Sequence, residues 1–381
     1  MTNFSRLSAL KLAALVGVLI AGCGPNDGVQ ELADGRAAYQ AGDIKKATKL
    51  LTKSAALNPL NVDAFVSLAL IKIEAGELDE AQGWIAKAEA LSAGDTDVRQ
   101  LSAQIAYHAK DYDKAAKLYR GLGEDDSLDA AIRADGWSGL GVIQTENNEH
   151  DLARISFLRA IRLDRRNPAA RYHLGRLYRL SPFGYAEAAL EQFEIFVRLS
   201  GELASPRVQK TQQVIIPSLK ETINRAATER PGASQRNSAV SAAALSKAEA
   251  AVKKGNWKAA RTAYQEAVTA DVLSYPAVLG LARVELKIDS SVAGQKKALE
   301  HYRQACSLKP SAISTLLEAG RLAEKLVLPA QAREIYSRAL AANPFSLEAI
   351  DGLIRSIRKA NGDKKVAQAY QSYRDMLSTK K

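Results

Sequence analysis

Small and apolar residues recur along this chain at a fixed interval. Ala47, Ala81 and Ala115 are equally spaced, and each follows a turn-like pair: Gly42-Asp43, Gly76-Glu77 and Lys110-Asp111. This pattern predicts units of two helices joined by a short turn, with the alanine on the buried face of the second helix. An aromatic ring follows the equivalent alanine by four positions at Tyr119, Phe157, Phe193, Tyr264, Tyr302 and Tyr336. Residues four apart share a helix face, so each ring is expected to fill the groove against the next helix pair. Gly141, Gly175 and Gly320 are small where two helices must approach closely. Pro59, Pro310 and Pro344 fall just after second helices, where proline ends a helix without cost.

The interval is the ~34-residue period of a helix-turn-helix repeat, and with these residue types it resembles the tetratricopeptide repeat (TPR). The resemblance covers about five repeats over residues 28–200 and about four over 239–381. The fourth repeat fits best, with Trp137, Leu140, Gly141, Ala153, Phe157 and Ala160 at signature positions. Residues 201–238 break the period. Pro206 to Glu229 reads as two helical pieces broken near Pro217, and residues 201–230 are expected to cap the first array. Residues 231–238, Pro-Gly-Ala-Ser-Gln-Arg-Asn-Ser, read as a flexible linker. The resemblance implies an all-α fold: a helix-turn-helix solenoid in two arrays, each a right-handed superhelix. Its first helices would line a concave groove that receives an extended peptide. A family version that clamps a chaperone's terminal carboxylate uses Lys, Asn and Arg at set sites. The equivalent sites here include Leu32, Arg36, Val66, Leu70, Gln100 and Gln104, so that partner is not expected.

The first residues follow another pattern. Arg6 and Lys11 precede an apolar run from Leu12 to Ile20, with Ala21 and Gly22 after it. That order is expected of a secretory signal peptide over residues 1–22. The run is too short to cross a bilayer, which takes roughly 20 residues. Leu19-Ile20-Ala21-Gly22-Cys23 resembles the lipobox of bacterial lipoproteins. The resemblance implies cleavage after Gly22 and acylation of Cys23, with 23–27 as a tether. Several acyl chains give a stable anchor where one gives a marginal one. Gly24 stands where an Asp would signal inner-membrane retention, so the family pattern points to the outer membrane, facing the periplasm.

Composition adds charge to this picture. Ala and Leu dominate the 47% of residues that are apolar, which favours helices. The net charge is +11, and +9 from Cys23 onward once Arg6 and Lys11 are removed. Two features organise it. In the second array, Arg283, Arg321 and Arg355 share one first-helix position, and Lys287, Lys325 and Lys359 lie four residues on. Lys253 takes the latter position in the preceding repeat. Stacked, they would form a double positive row for an acidic peptide or anionic polymer, with Glu249, Glu324 and Asp351 near enough to neutralise part of it. A solvated helix face would carry the same charges. The other feature is a cluster of Arg154, Arg159, Arg162, Arg165, Arg166, Arg171, Arg176 and Arg179, suited to an acidic protein or a membrane surface, or equally to solubility alone. Nucleic acid is not expected as a partner of an exported protein.

The chain offers no catalytic motif. His108, His150, His173 and His301 are scattered over different repeats, without metal-ligand spacing. There is no phosphate-binding glycine loop and no nucleophile elbow. No enzymatic activity, cofactor or metal is expected. Cys306 reads as a small buried hydrophobe. Trp84 and Trp257 lie one step off the repeat positions and are expected to be partly exposed. The function expected is that of a membrane-anchored scaffold for protein–protein interactions in an envelope assembly or secretion machine. An adaptor for a cell-wall enzyme is the alternative.

Overall fold

The computed structural model describes residues 27–180, 185–201 and 205–379. The expected signal peptide, Cys23 and most of the expected tether lie outside the described residues. Among the described residues the protein is all α, with no strand. No described helix is long and apolar enough to cross a membrane. The chain forms two compact units that divide between Ile143 and Gln144.

The first unit contains α1 (Val29–Gln40), α2 (Ile44–Leu57), α3 (Val62–Ala75), α4 (Leu78–Ser92), α5 (Thr96–His108), α6 (Tyr112–Glu124) and most of α7 (Ala130–Glu146). The division falls within α7. The turn pairs do what their chemistry suggests. Gly76 ends α3 at φ 80°, a left-handed conformation that glycine adopts freely. Asp43 and Asp111 cap α2 and α6 by accepting from the backbone N–H groups of Lys46 and Lys114. Ala47, Ala81 and Ala115 are wholly buried. Tyr119 packs against Gly139, where a Cβ would lie 2.5 Å from its ring.

The second unit contains α8 (His150–Leu163), α9 (Pro168–Arg179), α10 (Ala186–Ser200), α11 (Pro206–Lys210), α12 (Ile216–Thr228), α13 (Ser238–Lys253), α14 (Trp257–Ala270), α15 (Tyr275–Ile288), α16 (Val292–Leu308), α17 (Ile313–Lys325), α18 (Pro329–Ala342), α19 (Leu347–Lys359) and α20 (Lys364–Ser378). From α13 onward, consecutive helices pack as antiparallel pairs. Ala260, Ala298 and Ala332 have no exposed surface. Tyr336 shows why the repeat needs glycine. Its ring sits between Gly320 of its own pair and Gly352 of the next, and Cβ atoms there would come within 2.6 and 2.5 Å of it.

The period-breaking segment is helical and more continuous than expected. Instead of breaking near Pro217, the chain passes from α11 to α12 through a π-helical turn, Thr211–Ile215. Pro217 falls in the first turn of α12, where its missing N–H is tolerated. Val208, Thr211, Ile215 and Leu219 are buried at helical spacing, and the π turn and α12 contact α10.

The expected flexible linker at 231–238 is fastened down. Arg236 forks onto Asp271 at 2.7 and 2.9 Å, and the Asn237 N–H donates to the Ala270 carbonyl at 2.7 Å. Asn237 then caps α13. The segment lies inside the second unit rather than between units, because these bonds tie it to the α14–α15 turn and because α20 packs on α8.

Candidate functional site

The first helices of neighbouring pairs touch, α17 with α19 among them, so their residues share one face. Arg283, Arg321 and Arg355 project from α15, α17 and α19, as the register predicts. Each reaches the first helix of an adjacent pair, and there each finds an acid. Arg283 forks onto Glu318 at 3.0 and 2.6 Å, and Arg355 forks onto Glu324 at 2.9 and 2.9 Å. Arg321 lies 3.3 Å from Glu348. The arginine row is therefore a ladder of ion pairs, not a bare positive strip. Sequence reading named Glu324 as a neutraliser but missed Glu318 and Glu348, which meet the arginines only when pairs stack. Asp351 instead engages Arg374 at 2.5 Å.

Two tyrosines lock the ladder from below. Tyr302 donates to Glu318 at 2.8 Å and Tyr336 donates to Glu324 at 2.9 Å. Burial acts to raise these two carboxyls, but the bonds from arginine and tyrosine outweigh it and hold both below the ordinary glutamate value.

The lysine row is different. Lys253, Lys287, Lys325 and Lys359 occupy the last turns of α13, α15, α17 and α19. There they complement the partial negative charge of the helix ends. All four are exposed. Among the described residues none has a carboxylate in ion-pair contact, and Lys287 lies 6.0 Å from the centre of the Trp257 ring.

Two clefts open on the same face. One, of about 410 Å³, lies between α13, α14 and α15 and is lined by Trp257, Tyr264, Tyr275, Leu279, Arg283 and Lys287, among others. The other, of about 350 Å³, is bounded by Leu286, Tyr302, Glu318, Arg321 and Lys325. Trp257 is half-buried, as its off-register position suggested; so is Trp84, which lies under Lys87 at 4.0 Å.

The arginine cluster on α8 and α9 is not one patch. Arg154 is wholly buried, and Arg159, Arg162 and Arg171 are half-buried. Arg171 donates to Gln192 at 2.8 Å. Arg165 stacks on Phe345 at 5.7 Å while remaining exposed, as are Arg166, Arg176 and Arg179. Helix periodicity sends residues three or four apart to one face but the rest elsewhere, so a count along the sequence overstates the surface charge.

Among the described residues, no group of three or more His, Cys, Asp and Glu side chains is placed to hold a metal ion. Cys306 is buried, and burial pushes its thiol up to about 11. His173 is buried, and burial, with Arg176 and Arg207 nearby, pushes its pKa down to about 3.

Residues 38–105 match one tetratricopeptide-repeat family model and residues 236–292 match another. Among solved structures, one titled as the functional characterization of Pseudomonas aeruginosa pilF is similar at 19% identity over 54% of this chain and 93% of that one, with a TM-score of 0.42. A MamA protein matches at 16% identity over 50% of this chain and 96% of that one, with a TM-score of 0.37. MamA from Desulfovibrio magneticus matches at 14% identity over 47% and 98%, with a TM-score of 0.39. No curated protein sequence matches the chain. Among the described residues the protein is an all-α array of helix-turn-helix pairs with tetratricopeptide-repeat segments at 38–105 and 236–292, and such repeats imply binding to other proteins.

Proposed function

We propose that the protein is a lipid-anchored scaffold that captures an acidic segment of a partner protein along the α13–α19 face, within an envelope assembly or secretion machine. The observation that carries this reading is the lysine row. One exposed ammonium recurs per repeat beside two clefts with aromatic and apolar walls, while the arginines next to it are engaged by Glu318, Glu324 and Glu348. An extended acidic chain would run along the lysines and seat apolar side chains in the clefts. Anchoring rests on the lipobox-like sequence at Cys23 and supplies the membrane location.

An oligoglutamate peptide long enough to span the four lysines is a direct probe. Its affinity, read by fluorescence anisotropy, should fall as salt rises, because exposed charges are screened within ~8 Å at physiological ionic strength. It should be lost when Lys253, Lys287, Lys325 and Lys359 are all changed to Glu. Binding that survives this change would overturn the groove reading. Cys23→Ser should release the protein from membranes or leave it uncleaved. A native protein without acyl chains by mass spectrometry would overturn the anchor.

A further inference from the structure

Among the described residues, helix α8 buries more of its length than the other second helices of the second unit. Nine of its residues, among them Leu152, Arg154, Phe157 and Ile161, are buried, and none is fully exposed. In α2 and α14 four each are buried, and in α16 and α18 seven each. The additional cover comes from α20, which packs on α8 although the two helices stand far apart in the chain.

At the centre of this seam lies Arg154, with no exposed surface. Its guanidinium donates to the Tyr370 hydroxyl of α20, to the Ser337 Oγ of α18 at 2.5 Å, and to Asp151 of its own helix at 2.8 Å. Asp151 also accepts from Arg333 at 2.6 Å and from Tyr370 at 2.8 Å. Tyr185 donates to the same Ser337 Oγ at 3.1 Å, and Lys365 reaches Glu149 at 3.0 Å at the rim.

The energetics of such a cluster are lopsided. Desolvating a guanidinium and a carboxylate costs several kcal/mol per ion, and even good geometry does little more than offset it. The docking energy must therefore come mainly from the apolar neighbours. Those neighbours are poor at choosing a position, because aliphatic helix faces tolerate a slide of one turn, ~5.4 Å. Arg154 does not tolerate it. A slide would withdraw Tyr370 and Ser337 and leave a buried cation short of acceptors, at a cost well beyond that of an unmade neutral bond.

We propose that the Arg154–Asp151–Tyr370–Ser337 cluster is a register lock: it selects one docking position of the C-terminal helix pairs on α8 and contributes little to the docking energy. The lock holds α18 and α20, and with them the first-helix face of α17 and α19, in one fixed setting on α8.

The test uses the intact chain and two variants. Hydrogen exchange of the α20 amides reports docking. Carbodiimide coupling of Lys365 to Glu149, mapped by mass spectrometry, reports register. Asp151→Leu leaves Arg154 buried without its carboxylate, and α20 protection should fall roughly a hundredfold or more. Adding Arg154→Met and Tyr370→Phe should restore protection to within about tenfold of the native chain. In this apolar variant the Lys365–Glu149 product should fall at least threefold as other registers fill. Two results overturn the proposal. One is an apolar variant that keeps the native coupling yield, since the register then needs no lock. The other is an apolar variant whose α20 remains unprotected, since the cluster then supplies the docking energy. Native-level protection in Asp151→Leu would overturn it as well.

Discussion

Changing Arg283, Arg321 and Arg355 together to Glu should destabilise the second array as well as alter its binding. The two forks onto Glu318 and Glu324 are half-exposed on the arginine side (53% and 48%) and more sheltered on the acid side (25% and 15%). Exposed pairs contribute ~0.2–1 kcal/mol, and forked geometry places these two near the top, so losing both costs about 2 kcal/mol. The Arg321–Glu348 contact, open to solvent on both sides, adds little. Reversal then sets like charges ~4 Å apart, which costs ~1 kcal/mol in water and ~4 at an effective dielectric constant of 20. With this much exposure, about 1–2 kcal/mol per fork is reasonable after screening. The total is about 4 kcal/mol or more, close to a thousandfold at ~1.36 kcal/mol per tenfold. Changing the same three to Gln removes the forks without the repulsion and should cost only about 2 kcal/mol, roughly thirtyfold. Hydrogen exchange of the α17 amides, which lie between the three sites, reads both. Protection in the Glu variant within tenfold of the native chain would refute the reasoning and free the arginines for a partner. The lysine row, which has no such internal commitment, is the proper place to reverse charge when binding is the question.

Three further outcomes follow from named contacts. His173 is buried with its pKa pushed down to about 3, so its contribution is present above the ordinary imidazole range and is lost as pH falls toward that value. Stability of the second unit should drop by roughly 2 kcal/mol between pH 6.5 and 5, and His173→Gln should flatten that slope in urea titrations; equal slopes would refute the assignment. Gly352→Ala drives a Cβ to 2.5 Å from a Tyr336 ring whose hydroxyl is tied to Glu324. Overpacking of ~1–3 kcal/mol should exceed the ~1 kcal/mol gained in helix propensity, whereas Gly83→Ala in α4, with open space around it, should be neutral or stabilising. Arg236→Ala removes the fork onto Asp271 and should make residues 231–238 the first site of limited proteolysis, which they should not be in the native chain; unchanged cleavage would show that the fork does not hold the segment.

What neighbouring pairs need from one another is written in the amino-acid order. The buried alanines, the tyrosine four residues on, the glycine that receives it and the Asp or Asn that caps the next helix act within one period or between adjacent ones. The repeat therefore shows them directly, and the half-buried position of Trp257 could be read from its register. Three things were settled only on folding. Arg283, Arg321 and Arg355 gained acidic partners, because Glu318 and Glu348 meet them only once the array is stacked. Residues 231–238, whose Pro, Gly and Ser content suggests freedom, were held down through a salt bridge to Asp271 that composition does not reveal. Arg154 was drawn out of the arginine cluster and became the centre of a seam with Ser337 and Tyr370. Repeat periodicity encodes contacts between sequence neighbours, whereas that seam joins helices from distant parts of the chain and leaves no periodic trace: an arginine facing solvent and one meeting a distant tyrosine look the same on the helix that carries them.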